Sequence, residues 1–346
     1  MNPRILIVNP YNQLKNFKRH VASQMLLWAL DRAGIGWKRH QPAKPAPDLN
    51  GFDAALIWGY GFRYRNFMAN ALTFEQLCRA RGLPVINSAE TTETSHAFCL
   101  SHWQAAGIPC ARHQAFERFE DIELTYPLIL RRNAVHRGID VFLARNPGEA
   151  RAIIEDRLAE ASQPNSKTKP LNLAIEFIDR KHGDGKYRKF RSFVVGDRVL
   201  PRHLLISEHW LVNFWSSRSD VQTISENRQF HAYGDRDPAL LVRAARALKA
   251  DVVALDYDVT PDGDYLFFEG NRHFSMVGDD GYVTPKFYEA TGRSAAEHRR
   301  DDEALGEALG AMILGKLAAF AASSGSASKP LTGSSNASQS AAPPGA

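Results

Sequence analysis

The chain has 346 residues, of which 44% are hydrophobic, and carries a formal net charge of +5. That length holds two or three modules with packed cores. No apolar run approaches the roughly 20 residues needed to cross a bilayer, so a soluble cytoplasmic protein with no membrane partner is expected. The three cysteines, Cys78, Cys99 and Cys110, form no C-x-x-C pair and argue against a disulfide framework and a thiolate metal site. The charge is compatible with an anionic ligand and too mild to imply nucleic acid.

Ile5, Leu6, Ile7 and Val8 read as a buried strand in place of a signal peptide. Val21, Met25, Trp28 and Ala29 recur at helical spacing, and Gly34 closes that helix. Residues 54–58 form a second strand, residues 67–81 a helix ended by Gly82, and residues 83–87 a third extended segment. This β-α-β-α-β order predicts a small parallel sheet with helices packed on it. No G-x-G-x-x-G follows the first strand, so a dinucleotide fingerprint is absent. A helix over 91–106 ends at Gly107, and strands follow at 127–132 and 141–144. A helix over 147–161 has Pro147 in its first turn. Residues 173–178, 190–195 and 198–206 read as strands, and 238–250 as a helix. A last amphipathic helix carries Leu305, Leu309, Met312, Ile313, Leu317 and Phe320 on one stripe. From residue 323 to 346 the chain is rich in Ser, Ala, Gly and Pro and is expected to be disordered.

Two stretches carry chemistry. Residues 252–259 and 265–269 read as a hairpin about Asp262 and Gly263. A loop centred on that dipeptide sets Asp256 opposite Glu269, with Asn271 two residues along on the same face. Opposed carboxylates repel and ask for a cation, and oxygen ligands of this kind suit Mg²⁺ or Mn²⁺. The alternative is a solvated acidic hairpin. Asp258 shares the face and is a reserve ligand. The second stretch is basic: Arg180, Lys181, His182, Lys186, Arg188, Lys189 and Arg191, mixed with Tyr187 and Phe190. It reads as a solvated loop with basic flanks, as a set of phosphate contacts, or as a single-stranded nucleic-acid groove. His203, His209, His231 and His273 stand at no metal-binding spacing.

Residues 83–88, 105–109, 126–131 and 175–178, followed by Asp256, Glu269 and Asn271, resemble in their order the ATP-grasp superfamily. The similarity is greatest to its glutathione-synthetase-like and ribosomal-protein glutamate-ligase-like branch, in a divergent subgroup. The resemblance implies an α/β and α+β chain. It has an N-terminal pre-ATP-grasp domain over 1–88, an ATP-grasp domain over 89–322 and the tail. It implies ATP and Mg²⁺ (or Mn²⁺), and a small carboxylate or peptide substrate activated as an acyl phosphate and joined to an amine or thiol; a homo-oligomer is left open. The residues it implicates are Asp256, Glu269 and Asn271 for metal. Arg131, His96 and Arg137 are implicated for phosphates, and Glu176, Phe177 and Ile178 for adenine and ribose. Arg191 and Arg202 are implicated for the γ-phosphate or acyl phosphate. His96 and Arg131 stand where the resemblance puts lysines, and the glycine-rich loop is reduced to residues 135–138. These departures also admit a catalytically silent nucleotide binder with a regulatory or scaffolding role.

Overall fold

The computed structural model describes residues 2–9, 21–59, 66–92, 95–133, 140–217, 219–271 and 283–326. In chain order the first elements are β1 (Arg4–Val8), α1 (Val21–Arg32), β2 (Gly36–His40), β3 (Ala54–Ile57), α2 (Phe67–Ala80) and β4 (Val85–Ile86). Their strands form a wholly parallel sheet in the order β2-β1-β3-β4. The parallel expectation holds, with one strand added. β2, Gly-Trp-Lys-Arg-His, escapes the sequence reading because it lies at an edge, is mostly half-buried and has no apolar run.

Next come α3 (His96–Ala105), β5 (His113–Ala115), β6 (Leu128–Arg131), β7 (Val141–Ala144), α4 (Pro147–Ala161) and β8 (Leu173–Glu176). They build a small antiparallel sheet ordered β5-β8-β6-β7. The larger antiparallel sheet follows, ordered β10-β9-β11-β12, from β9 (Tyr187–Val195), β10 (Arg198–Ser207), β11 (Val252–Val259) and β12 (Tyr265–Asn271). Helices α5 (Val221–Tyr233) and α6 (Pro238–Ala247) lie between β10 and β11, and α7 (Val283–Thr291) and α8 (Ala295–Ser326) close the described chain.

One face of the large sheet changes character along its length. Phe193, Val195, Val252 and Ala254 share a core with Ile5 and Ile7 of β1, Leu26 of α1, and Leu305, Leu309 and Ile313 of α8. Each such Val, Leu, Ile or Phe side chain, fully buried, contributes about 1.5–3 kcal/mol. One rung further along the same strands, Arg191 and Asp256 replace the apolar residues. By length and composition Ala295–Ser323 passes for a membrane-spanning segment, with hydropathy 1.5. This differs from the sequence expectation, but Leu305, Leu309, Met312, Ile313 and Leu317 of the α8 stripe lie in or against the shared core, while Phe320 is exposed.

Asn87 ties the parallel sheet to the start of β11. It sits in the left-handed region at φ 57°. Its Oδ1 accepts from the amides of Asp251 (2.8 Å) and Val252 (3.0 Å), while its own amide donates to Asp251 Oδ2 (2.8 Å). Asn87→Ala leaves two amides without their acceptor and puts a Cβ-bearing residue without a local acceptor in that region. The expected loss is about 2–4 kcal/mol in urea unfolding; a loss under ~0.5 kcal/mol would mean water replaces the amide.

Candidate functional site

The hairpin of β11 and β12 forms, but its loop is not centred on Asp262 and Gly263 as expected. Thr260 N donates to Asp264 O and Gly263 N to Thr260 O, both at 3.0 Å, and Gly263 has φ 94°. Three residues, Pro261, Asp262 and Gly263, thus lie in the loop. Tyr257 pairs with Phe267 and Asp258 with Leu266, one residue out of step with the expected register. An irregularity between Asp256 and Tyr257 then leaves Phe268 as the extra residue of a β-bulge, and beyond it Asp256 faces Glu269 and Ala254 faces Asn271. The offset at the turn and the bulge cancel.

Asp256, only 2% exposed, lies opposite Arg191 of β9. Arg191 donates from Nε to Oδ1 (2.5 Å) and from Nη2 to Oδ2 (2.7 Å), and Lys189 Nζ stands 3.6 Å from Oδ2. Burial opposes the Arg191 charge, yet Asp256, helped by Glu269, more than offsets it, so the guanidinium pKa is raised. With the Asn271 amide oriented to suit its neighbours, Nδ2 donates to Glu269 Oε1 (3.0 Å) and Oδ1 accepts from Arg191 Nη2 (3.2 Å).

Glu269 also reaches the small sheet. Its Oε2 is 3.7 Å from His96 Nε2, at the start of α3, where Ser95 Oγ caps the Phe98 amide. Asn133, just past β6, accepts at its carbonyl from His96 N (3.1 Å), and its Oδ1 accepts from Ala97 N (2.9 Å). Burial, seconded by Arg131, lowers the His96 pKa against the pull of Glu269. Burial likewise pulls Arg131 down to about 10, with Glu269 raising it. The structure therefore brings together His96, Arg131, Arg191, Asp256, Glu269 and Asn271. Sequence reasoning placed Lys189 only within the basic stretch and not beside Asp256; its alternation with Arg191 on that face was the available signal.

The fit of a divalent ion rests on the donor set. Among the described residues no three His, Cys, Asp or Glu side chains are grouped to hold a metal. The oxygens here come from two carboxylates and the Asn271 amide, which suits a hard, oxygen-preferring ion that keeps several waters.

Other expected residues lie elsewhere. Asp258 is fully buried, with Oδ2 on Arg180 Nε (2.9 Å) and Oδ1 near His182 Nε2 (3.1 Å), away from the residues gathered about Glu269. Acidic and amide side chains also hold members of the basic stretch. Arg188 is held by Asp184 and Glu226, and Lys186 by Asp220 and Gln222. Glu176 pairs with Arg112 and accepts from Thr125 N, and Phe177 meets Trp210 edge to face at 5.7 Å. Ile178 is 43% exposed. Arg137, with His136 and His273, lies outside the described residues.

Arg202 is not among the gathered residues. A register shift between Pro201 and His203 accompanies its turn toward α8, where Nη1 meets Asp302 Oδ1 at 2.8 Å and Asp301 Oδ2 at 3.7 Å. Burial pushes the Asp302 carboxyl up to about 6 against the pull of Arg202. The folded chain then holds that proton more tightly than the unfolded one. Stability from this group is present at low pH and lost as pH rises from about 4 through about 6. Asp302→Asn is expected to gain on the parent chain by about 1–3 kcal/mol between pH 4 and pH 7 in urea unfolding. A difference that does not change with pH would show an ordinary carboxyl there.

The family model described as RimK-like ATP-grasp domain matches residues 102–278. Among solved structures the chain is similar to a RimK domain protein ATP-grasp from Sphaerobacter thermophilus, with TM-score 0.50 and 20% identity, covering 89% of this chain and 99% of that one. It is also similar to D-alanine–D-alanine ligase from Bacillus anthracis, solved with ATP, with TM-score 0.50 and 14% identity, covering 93% and 99%. At these identities the likeness is one of fold. No curated protein matches the chain.

Proposed function

The chain belongs to the RimK-like ATP-grasp family, whose members are in general ligases. On that premise we propose that it is an ATP- and Mg²⁺-dependent ligase joining a carboxylate to an amine or thiol through an acyl phosphate. The observation that supports this reading is the convergence of Asp256, Glu269 and Asn271 with Arg191, Arg131 and His96 at one spot reached from both antiparallel sheets. Asp256, Glu269 and Asn271 would hold Mg²⁺ or Mn²⁺, which when bound neutralises phosphate charge and orients the transferred group.

The remaining roles belong to the chain's own residues. Arg131 holds phosphate as a fixed bidentate cation with His96 beside it, and Arg137 is assigned to phosphate as well. The backbone of Glu176, Phe177 and Ile178 borders the adenine. A substrate carboxylate oxygen bonds to the γ-phosphorus as ADP leaves. The amine nitrogen or thiol sulfur then adds to the acyl carbon, gives up a proton and expels inorganic phosphate. Arg191 stabilises the charge that gathers on the phosphoryl oxygens, since phosphoryl transfer asks mainly for positioning and neutralisation.

A thermal shift on the full chain tests this. ATP with Mg²⁺ at about a hundredfold excess over Kd is expected to add about 2.7 kcal/mol and raise Tm by roughly 4 °C. No Mg²⁺-dependent shift under saturating nucleotide overturns the proposal. ADP release on adding amino acids or small peptides then identifies the substrates. Binding without turnover supports the silent binder instead, a reading favoured by a buried His96 with lowered pKa where the resemblance puts a lysine.

A further inference from the structure

The connection between α5 and α6 crosses the turn end of the hairpin, and three consecutive residues fasten there. Asp235 accepts from Tyr257 Oη at Oδ1 and from Ser192 Oγ at Oδ2 (2.7 Å), and the two hydroxyls are 3.1 Å apart. Arg236 donates from Nη1 to the carbonyls of Thr260 (3.3 Å) and Pro261 (2.6 Å). Asp237 N donates to Tyr265 Oη (3.0 Å). Ser192 and Tyr257 are the chain neighbours of Arg191 and Asp256 and point to the opposite face of the sheet. The strap thus holds, from behind, the side chains next in sequence to Arg191 and Asp256, and it holds the backbone of the turn.

The other end of the hairpin is fixed separately. Gly270 is pressed toward Leu248 and Trp103, and its carbonyl accepts from Cys99 Sγ (3.7 Å). Phe267, on the turn side of the bulge, donates its amide to Pro109 O (2.9 Å). Between these anchors the two halves of the ladder are one residue out of step, and Phe268 takes up the difference. In the unbulged register of the turn end, Asp256 would face Phe268 and Glu269 would turn to the other side of the sheet.

We propose that the strap Asp235, Arg236 and Asp237 is a positioning element: by holding the turn end of the hairpin it forces the bulge at Phe268 and so aligns Asp256 with Glu269. This rests on the metal and nucleotide reading of those two carboxylates. A slack strap lets the bulge migrate or the ladder slip, and the oxygens cease to converge.

The test uses the full chain with Tyr257→Phe, which keeps the ring, and with Asp235→Ala and Asp235→Asn. Amide hydrogen exchange over residues 257–267 is expected to quicken by about tenfold in Tyr257→Phe and Asp235→Ala. In the same two variants the gain in ATP affinity on adding Mg²⁺ is expected to fall about tenfold, with Mg²⁺-free ATP affinity within about twofold of the parent. Asp235→Asn, which keeps an acceptor, is expected to stay close to the parent in both. Unchanged exchange over 257–267 overturns the proposal, as does faster exchange with the Mg²⁺ gain intact. A parent chain with no Mg²⁺ gain overturns the ligase reading instead, and exchange alone then decides the strap.

Discussion

Glu269→Ala is expected to remove the Mg²⁺-dependent part of nucleotide binding, at least about a hundredfold in affinity or about 2.7 kcal/mol. Glu269 faces Asp256 across the hairpin, accepts from Asn271, and its Oε2 stands 3.7 Å from His96 Nε2. It also raises the pKa values of both Arg131 and Arg191. Removing it withdraws an oxygen ligand and takes from both guanidiniums a carboxylate that raises their pKa, with Asp256 left on Arg191. Two effects must therefore be separated. Glu269→Gln keeps the shape and an oxygen for Asn271 while losing the charge, so its ligand-free Tm is expected to stay nearer the parent than that of Glu269→Ala. Both variants are expected to lose the Mg²⁺ gain in calorimetric titration with ATP. A Gln variant that keeps the gain would remove Glu269 from the metal ligands.

The hairpin also measures how much of the site was legible in the sequence. Alternation placed Asp256, Glu269 and Asn271 on one face, and the strand limits of β11 agree with those expected. The route to that face was not legible, because Asp262 and Gly263 serve a three-residue loop as well as a two-residue turn. The compensating bulge at Phe268 depends on contacts from β9, α3 and the strap, which are distant in sequence. Arg202 shows the same limit from the other side. On a regular strand Arg202 would alternate out of the face of His203, and only the register shift and the carboxylates of α8 decide what it meets. Helix α5 escaped notice because its buried residues include Thr223 and Asn227, whose burial is satisfied by hydrogen bonds to partners such as Leu204 rather than by apolar periodicity. The parallel sheet was legible because its central strands are continuous apolar runs, and those runs report burial on both faces.

Gly270 joins stability to the site, and its substitution is expected to damage both. It lies between Glu269 and Asn271, where an added Cβ would stand 2.5 Å from Leu248 Cδ1, 3.5 Å from Trp103 Cζ2 and 3.6 Å from Cys99 Sγ. Leu248 and Trp103 are both fully buried, and Trp103 is fixed by its indole N–H donating to Ala244 O at 3.0 Å. The new methyl group must therefore displace Leu248 or push β12 away from α3. Gly270→Ala is expected to cost about 1–3 kcal/mol in urea unfolding. A shift of β12 moves two ligands at once, so the Mg²⁺ gain in ATP affinity is expected to fall about tenfold or more. Leu248→Ala removes the clashing atom and alone costs about 2–5 kcal/mol through its cavity. In the double variant the methyl group of residue 270 enters that cavity, so the two losses are expected to sum to less than their separate values by about 1–2 kcal/mol, with the Mg²⁺ gain restored. Strict additivity would mean that β12, rather than Leu248, yields to the methyl group.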